Sequence, residues 1–417
     1  MNAEIIAIGS EMLTPFRTDT NSLFLTARLN ELGVNVVRKT VVGDDQPRLT
    51  EAIAQAWERS GIVMTIGGLG PTADDLTREC AAAVLGRALK SDAAIAEWLV
   101  ARFRSRGMVM PQINLRQAMV IEGATILPNT RGTAPGQWME HDGKHLILLP
   151  GPPREMETMF SDAVLPALRE RLPRAYLRRR QLRMTGLTES AAEEIIAPIF
   201  TRYTNPVTTI LATLGEIQVH LMSTAPTEAE ATACVDDLAA QLEKALGAVV
   251  FSNDGKGLET VAGSLLAARG ESLAVAESCT GGLLGERVTA VAGSSKYFLG
   301  GVVSYADAVK ESLLGVPAVM IEEHGAVSEP VARQMANEVR ARLGATYGLS
   351  ITGIAGPDGA LPGKPVGLVY IALATPDGTP DGTKVAMKKF TGEREPVRWQ
   401  AAQAALDLLR RHLAGLD

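Results

Sequence analysis

Short apolar runs closed by glycine alternate along this chain with longer stretches whose apolar positions recur at helical spacing. AEIIAIG at residues 3–9 is the first run, and a helical pattern follows from Asn21 to Leu32. NVVRKTVVG then predicts a strand, Arg48 to Arg59 a helix, and GIVMTIGGLG a buried strand entering a glycine loop. A further apolar strand at Leu146–Pro153 ends in Gly-Pro-Pro, while Lys144 and His145 before it read as part of a hairpin or turn. Strands that are apolar on both faces and alternate with helices predict a parallel sheet covered on both sides.

The pattern changes after about residue 170. QLRMTG, GEIQVHLMST and AVVFS read as strands, and ESAAEEIIAPIF and TEAEATACVDDLAAQLEKALG as helices, the second with Thr227 as N-cap and Gly247 as its stop. This is a small α+β module with no cluster of reactive side chains, and a connecting or dimerising role suits it. Asn253-Asp254-Gly255 is a turn and a boundary. A helix over 257–269, the strand ESLAVAES, a helix opened by CTGG, the strand FLGGVVSY, a helix over 307–314, the strands GLSITGIAG and GLVYIALAT, and a last helix from Arg394 to Leu413 complete the pattern. The expected fold class is α/β: two separate α/β domains with mostly parallel sheets, spanning 1–170 and 254–417, joined by a small α+β module over 171–253.

Composition narrows the function classes. A chain of 417 residues exceeds one core, and 46% hydrophobic with 21% charged residues is the balance of an ordinary globular protein. A net charge of −6 argues against nucleic acid as a general partner. The one basic run, Arg174 to Arg183, reads as a solvated strand or linker face. Cys80, Cys234 and Cys279 are too few and too scattered for a disulfide framework or metal-ligand pairing. No signal peptide and no membrane-length apolar stretch is read, so the expected location is cytoplasmic.

Candidate chemistry concentrates in two glycine-rich turns. In AESCTGG an apolar strand ends and a helix begins within a few residues, and unpaired helix-start amides there can hold an oxyanion or a phosphate. A glycine turn with Ser278 as a mere N-cap is the plain alternative. Against it stand Tyr305 and Lys310, at the end of the next strand and in the helix after it, where strand ends of a parallel sheet share one edge. Lys310 could act as general base toward Ser278, with Tyr305 relaying the proton or binding the leaving amide. Cys279 is the rival nucleophile, but it needs an electropositive setting, and the nearest histidine of the domain is His324. Ser294 and Ser295, the turn at Thr352, Gly353 and Gly356, and Arg398 of the last helix are further candidates to hold an anion.

AESCTGG, AGSSKYFLGGVVSYADAVK, HGAVSEP and ITGIAGPDG together resemble the CinA C-terminal domain, the nicotinamide mononucleotide (NMN) deamidase family. The resemblance implies hydrolysis of NMN to nicotinate mononucleotide and ammonia without a cofactor, with Ser278 as nucleophile and Lys310 and Tyr305 as the activating pair. Amides near Thr280, Gly281 and Gly282 are expected to stabilise the oxyanion.

The second glycine turn is TIGGLGPTADDLT. Gly67, Gly68, Gly70, Pro71 and Thr72 form a loop that a pyrophosphate or sugar could approach, and a helix is expected to start near Ala73 or Asp74. Asp74 and Asp75 together could hold a hard divalent cation, the alternative being N-capping. Ser10, Glu11, Asn21, Asp44, Asn114, Gln117 and Gly151 line up at other strand ends and helix starts.

GSEML, DTNS, TIGGLGPTADDLT, INLRQA and LLPGPPREM resemble the CinA N-terminal domain, of the molybdopterin-binding (MoaB/MogA-like) fold family. That implies an ADP-ribose pyrophosphatase dependent on a divalent metal ion (Mg, Mn or Co), giving AMP and ribose 5-phosphate. Ser10, Glu11, Asn21, the loop from Gly67 to Thr72 and Asn114 would contact ADP-ribose, with the metal on Asp74 and Asp75. Pro15 stands where the family pattern has glycine. The middle segment resembles a KH-like fold but contains no G-x-x-G loop, so nucleic acid is not expected there. The whole reads as a bifunctional pyridine-nucleotide salvage enzyme, expected to be a homodimer. The alternatives are a molybdopterin-binding protein and a non-enzymatic competence or DNA-damage factor.

Overall fold

The computed structural model describes residues 1–173, 175–376 and 382–416. The chain divides into two compact units, Met1–Leu177 with Thr224–Ala231, and Arg178–Ser223 with Thr232–Asp417.

In the first unit, β1 (Asn2–Ile8), β2 (Asn35–Val42) and β3 (Ile62–Ile66) are followed by a separate pair, β4 (Leu89–Ser91) with β5 (Met119–Ile121). Then come β6 (Thr125–Leu127), β7 (Gly136–His141) and β8 (Lys144–Leu149). The main sheet has the order β2-β1-β3-β8-β7-β6. Its first four strands are parallel and the last two antiparallel. Every residue of β3 is buried, because helices cover both faces. Ile5, Ile62 and Met64 pack on one face against the helix Asn21–Glu31, through Leu25 and Leu29. Ile6 and Val63 pack on the other against the helix Gln46–Arg59, through Leu49 and Ile53. Alternate residues of each strand thus feed two cores, and each fully buried leucine or isoleucine contributes about 1.5–3 kcal/mol. Lys144 and His145 do lie in a hairpin: Asp142 (φ 49°) and Gly143 (φ 72°) make the two-residue left-handed turn between β7 and β8.

The small module has the strand order β10-β11-β9-β12, from β9 (Tyr176–Met184), β10 (Val207–Thr213), β11 (Glu216–Ala225) and β12 (Val250–Ser252). Leu182, Met184, Val219 and Leu221 meet Ile196 of the helix Glu189–Phe200 and Leu238 of the helix Glu228–Leu246. Thr227 caps the second helix reciprocally: its hydroxyl accepts from Glu230 N (3.2 Å), and its own N–H donates to the Glu230 carboxylate (3.2 Å). The helix stops at Leu246, with Gly247 in the left-handed region (φ 62°). The basic run lies largely in β9, where Arg180 pairs with Asp236 and Arg183 with Glu216; Arg174 lies outside the described residues. β10 was not anticipated.

The C-terminal sheet has the order β14-β13-β15-β16-β17, from β13 (Leu273–Glu277), β14 (Phe298–Val303), β15 (Tyr347–Gly353), β16 (Leu368–Ala374) and β17 (Lys384–Lys389). β14, β13 and β15 are parallel, as expected, but β16 and β17 run antiparallel. The reason is connection length: among the described residues no helix separates β15 from β16 or β16 from β17, the second connection is short, and a parallel return needs a crossover. β17 was not anticipated, since its sequence KVAMKK holds only three apolar residues, none of them buried, between lysines.

The helix Glu329–Leu343 packs directly on β15 at Gly348. A β-carbon there would lie 2.7 Å from Arg340 Cβ and collide with the Ala336 carbonyl oxygen. Gly348→Ala should therefore destabilise the second unit by about 1–3 kcal/mol. A lowered midpoint in scanning calorimetry is the expected result, and an unchanged thermogram would contradict this packing.

Candidate functional site

Strand direction decides which loops can meet. In the C-terminal sheet, β13, β14 and β15 all finish at one edge. Gly353 of β15 pairs with Val369 near the start of β16, and Leu368 pairs with Lys389 at the end of β17. The antiparallel pair therefore delivers the start of the helix Arg394–Ala414 to that same edge.

Ser278 follows β13 directly and is 8% exposed. Its N–H donates to Ile351 O of β15 (3.0 Å), and Ser304 N donates to Glu277 O (2.7 Å), so the nucleophile candidate is pinned to both neighbouring strands. The Glu277 carboxylate is buried and accepts from the amides of Gly282 (3.0 Å), Leu284 (3.0 Å) and Gly285 (2.8 Å). The N-terminus of the helix Leu283–Thr289 is thus capped by the residue before the serine. Gly281 N donates to Ser278 O, completing the turn.

That corrects the expected oxyanion donors. Gly281 and Gly282 are engaged inside the turn and serve by adopting left-handed φ values of 59° and 98°. Among the described residues, the amides of Cys279 and Thr280 donate to no oxygen, and these are the groups free to face a developing oxyanion. Thr280 is fully buried and its hydroxyl has no partner among the described residues, while its carbonyl accepts from Arg398 Nη2 (2.7 Å). Cys279 is unsuited to nucleophilic work: burial pushes its thiol up to about 12.

Lys310 and Tyr305 do arrive at this edge. The Lys310 ammonium is 1% exposed and donates to Asp307 Oδ1 (3.1 Å) and Tyr305 O (3.3 Å). Two of its three donor positions are thereby filled, leaving one; no hydrogen bond joins it to Ser278 among the described residues. The Tyr305 phenol is exposed and accepts from Arg394 Nη2 (2.6 Å), whose Nη1 donates to Gly356 O (2.8 Å). Thr352 donates to Ala326 O (2.8 Å), tying its turn to the HGAVSEP segment, and Gly353 closes β15 beside it.

Ser294 and Ser295 are a correction. They precede β14, and β14 runs parallel to β13, with Leu273 N bonded to Tyr297 O at their common beginning. The two serines therefore lie at the edge opposite Ser278. Glu277 and Arg394 were missed. The signal available for Arg394 was its place one helical turn before Arg398; for Glu277 it was an acid ending an otherwise apolar strand.

In the first unit the same polarity gathers the ends of β1, β2, β3 and β8 around a cavity of about 370 Å³. Glu11, Gly67, Gly68, Gly70, Pro71 and Thr72 line it, as the sequence anticipated. Ser10, Asn21 and Asn114 stand one contact behind the wall. Ser10 and Asp44 exchange two hydrogen bonds (2.8 and 3.0 Å), Asn21 donates to Gly151 O (2.8 Å), and Asn114 donates to Gln117 (3.0 Å). The expected helix start at Ala73 or Asp74 is also corrected: the helix is Thr77–Leu85. The cause is Asp75, whose carboxylate accepts from Gly70 N (2.8 Å), Thr72 N (2.8 Å) and the Thr72 hydroxyl, and so closes the loop on itself. Thr77 donates to Gly67 O (2.8 Å), and buried Arg78 donates to the carbonyls of Leu69 and Gly70 (both 2.8 Å). The loop carbonyls are thus held from behind by two side chains the sequence did not single out.

Five carboxylates line this cavity, from Glu11, Asp44, Asp74, Asp75 and Glu155, and no lysine or arginine does. Hard oxygen donors suit Mg or Mn. Asp75 is largely committed to the loop, Asp44 to Ser10 and Glu155 to Asn129 (2.7 Å), which leaves Glu11, and Asp74 with the Thr72 hydroxyl beside it holding its carboxyl below the usual range, as the acids least engaged. Among the described residues, no three His, Cys, Asp or Glu side chains are already grouped to hold a metal ion. Among the described residues, no helix is long and apolar enough to cross a membrane.

Three family models match in series: a probable molybdopterin binding domain over 4–170, the damage-inducible protein CinA KH domain over 179–252, and the CinA C-terminal domain over 255–413. A CinA-like protein of Koribacter versatilis (strain Ellin345) is 52% identical over 417 residues, covering 99% of this chain and all of its own. One of Solibacter usitatus (strain Ellin6076) is 50% identical, covering 100% of this chain and 99% of its own.

With its thiol at about 12, Cys279 should be thiolate to only roughly one part in 10⁴ at pH 8. Iodoacetamide at that pH is expected to label partly exposed Cys234 and to spare Cys279, read by peptide mass spectrometry. Equal labelling of both would refute the buried setting of Cys279.

Proposed function

The chain belongs to the CinA family, and from that premise we propose that its C-terminal domain deamidates nicotinamide mononucleotide at Ser278. Supporting this is the convergence of Ser278, buried Lys310 and Tyr305 at one sheet edge, beside two unengaged amides. Ser278 Oγ attacks the carboxamide carbon while its proton passes to Lys310 Nζ, which takes it as a neutral amine through the one position not filled by Asp307 and Tyr305 O. The amides of Cys279 and Thr280 face the oxyanion, and the proton reaches the departing nitrogen, so that ammonia leaves. Water then cleaves the ester, giving the carboxylate of nicotinate mononucleotide and restoring the serine. Arg398 and Arg394, one turn apart, supply positive charge for the substrate phosphate. No cofactor enters this scheme.

For the N-terminal domain we infer hydrolysis of ADP-ribose to AMP and ribose 5-phosphate. The observation favouring it is the acidic, cation-free lining of the cavity. A diphosphate can enter such a wall only with its charge neutralised, and a divalent cation would supply that together with an activated water. Glu11 and Asp74 would hold it, and the loop Gly67–Thr72 offers backbone to the ligand.

Ser278→Ala and Lys310→Ala should each lower ammonia release from NMN by roughly three orders of magnitude or more. Neither should change ADP-ribose hydrolysis, which EDTA should abolish and added Mg or Mn restore. NMN turnover surviving in Ser278→Ala would refute the first reading. ADP-ribose left intact under every divalent metal, with molybdopterin bound instead, would refute the second.

A further inference from the structure

A second cavity in the C-terminal unit, of about 640 Å³, is used by neither proposed reaction. One wall comes from the small module, at Thr185–Glu189 and Ala212–Ile217, and the other from the end of β17 and the last helix. Its size is that of a small-molecule site. Two donors in and behind its wall are left without acceptors among the described residues. Gln403 lines the cavity, is 2% exposed, and has its Nε2 unbonded. Arg287, 6% exposed, donates through Nη2 to Gln403 Oε1 (2.7 Å) and to Glu259 (2.7 Å), yet its Nη1 has no partner. A buried donor left unmet is costly, so such a pair calls for an acceptor.

The rest of the wall describes the ligand. The exposed ammonium groups of Lys388 and Lys389 and the guanidinium of Arg411 favour an anion. Phe390 and Leu408 offer an apolar surface for a flat ring, and the Thr185 and Thr213 hydroxyls, which donate to Gly215 O (2.8 Å) and Glu216 O (3.3 Å), keep lone pairs that can accept from a sugar. The acids offset the cations only in part: Glu216 is paired with Arg183 (2.6 Å) and Asp407 with Arg410 (2.7 Å), although the Asp407 charge also feels Arg411 and Lys388, and Glu189 lies at its helix start.

We propose that this cavity is a binding site for a nucleoside monophosphate, distinct from the two reaction sites. The phosphate lies against Lys388, Lys389 and Arg411, and the ring lies on Phe390 with an acceptor edge toward Gln403. The last helix presents Gln403, Asp407 and Arg411 to this cavity and Arg394 and Arg398 to the Ser278 edge.

The test is calorimetric titration of the full chain with AMP, beside a crystal structure grown in AMP. AMP can also enter the N-terminal cavity, so the comparison is with the Lys388→Glu, Lys389→Glu double variant. These exposed positions lie outside both reaction sites, and ammonia release and ADP-ribose hydrolysis should persist. The expected result is AMP density in this cavity and loss of one binding site per chain in the double variant. AMP density confined to the N-terminal cavity, identical stoichiometry and affinity in the double variant, or inorganic phosphate binding as tightly as AMP would each overturn the proposal.

Discussion

The direction in which each strand runs is the constraint on which both candidate sites depend. A strand of a parallel sheet can place chemistry only at its carboxyl end, because its other end faces the opposite edge. In the first unit this brings Gly9–Glu11, Asp44, the Gly67–Thr72 loop and Pro150–Pro152 to one cavity. In the C-terminal domain it brings together the segments after β13, β14 and β15. The two antiparallel strands β16 and β17 extend the rule, since the chain leaves β17 at the same edge and starts its last helix there. Arg394 and Arg398 reach the Ser278 turn by that route.

Within the edge, a second layer of contacts fixes the turns. Glu277 takes three helix-start amides, Asp75 takes three loop donors, and Thr77 and Arg78 hold loop carbonyls. Of these groups only Asp75 also lines the N-terminal cavity. They decide which backbone amides stay free, and so which could meet a substrate.

Much of this was legible in the sequence. The glycine-closed apolar runs gave the parallel strands, the turn at 253–255 separates the small module from the last α/β segment, and Thr227 and Gly247 bound their helix. Ser278, Tyr305 and Lys310 could be placed at one sheet edge because each follows a strand or opens the next helix. Ser294 and Ser295 were misplaced for the converse reason: a glycine-serine turn looks alike before and after a strand, and only register tells which edge it occupies. The helix start near Asp74 was misread because an aspartate can cap a loop as well as a helix. β10 and β17 escaped because solvent-facing strands at a sheet edge lack the continuous apolar signal. Arg394 and Glu277 act through partners distant in sequence or through backbone, and no spacing rule announces such contacts.

The closed loop at Gly67–Thr72 has a thermodynamic consequence. Asp75, Thr77 and Arg78 give it its shape through internal hydrogen bonds, so its conformational entropy is lost when the domain folds. A ligand arriving at the cavity meets a finished surface and has no loop to order. Its association should carry the small heat-capacity and entropy changes of docking onto a preformed wall, and not those of coupled folding.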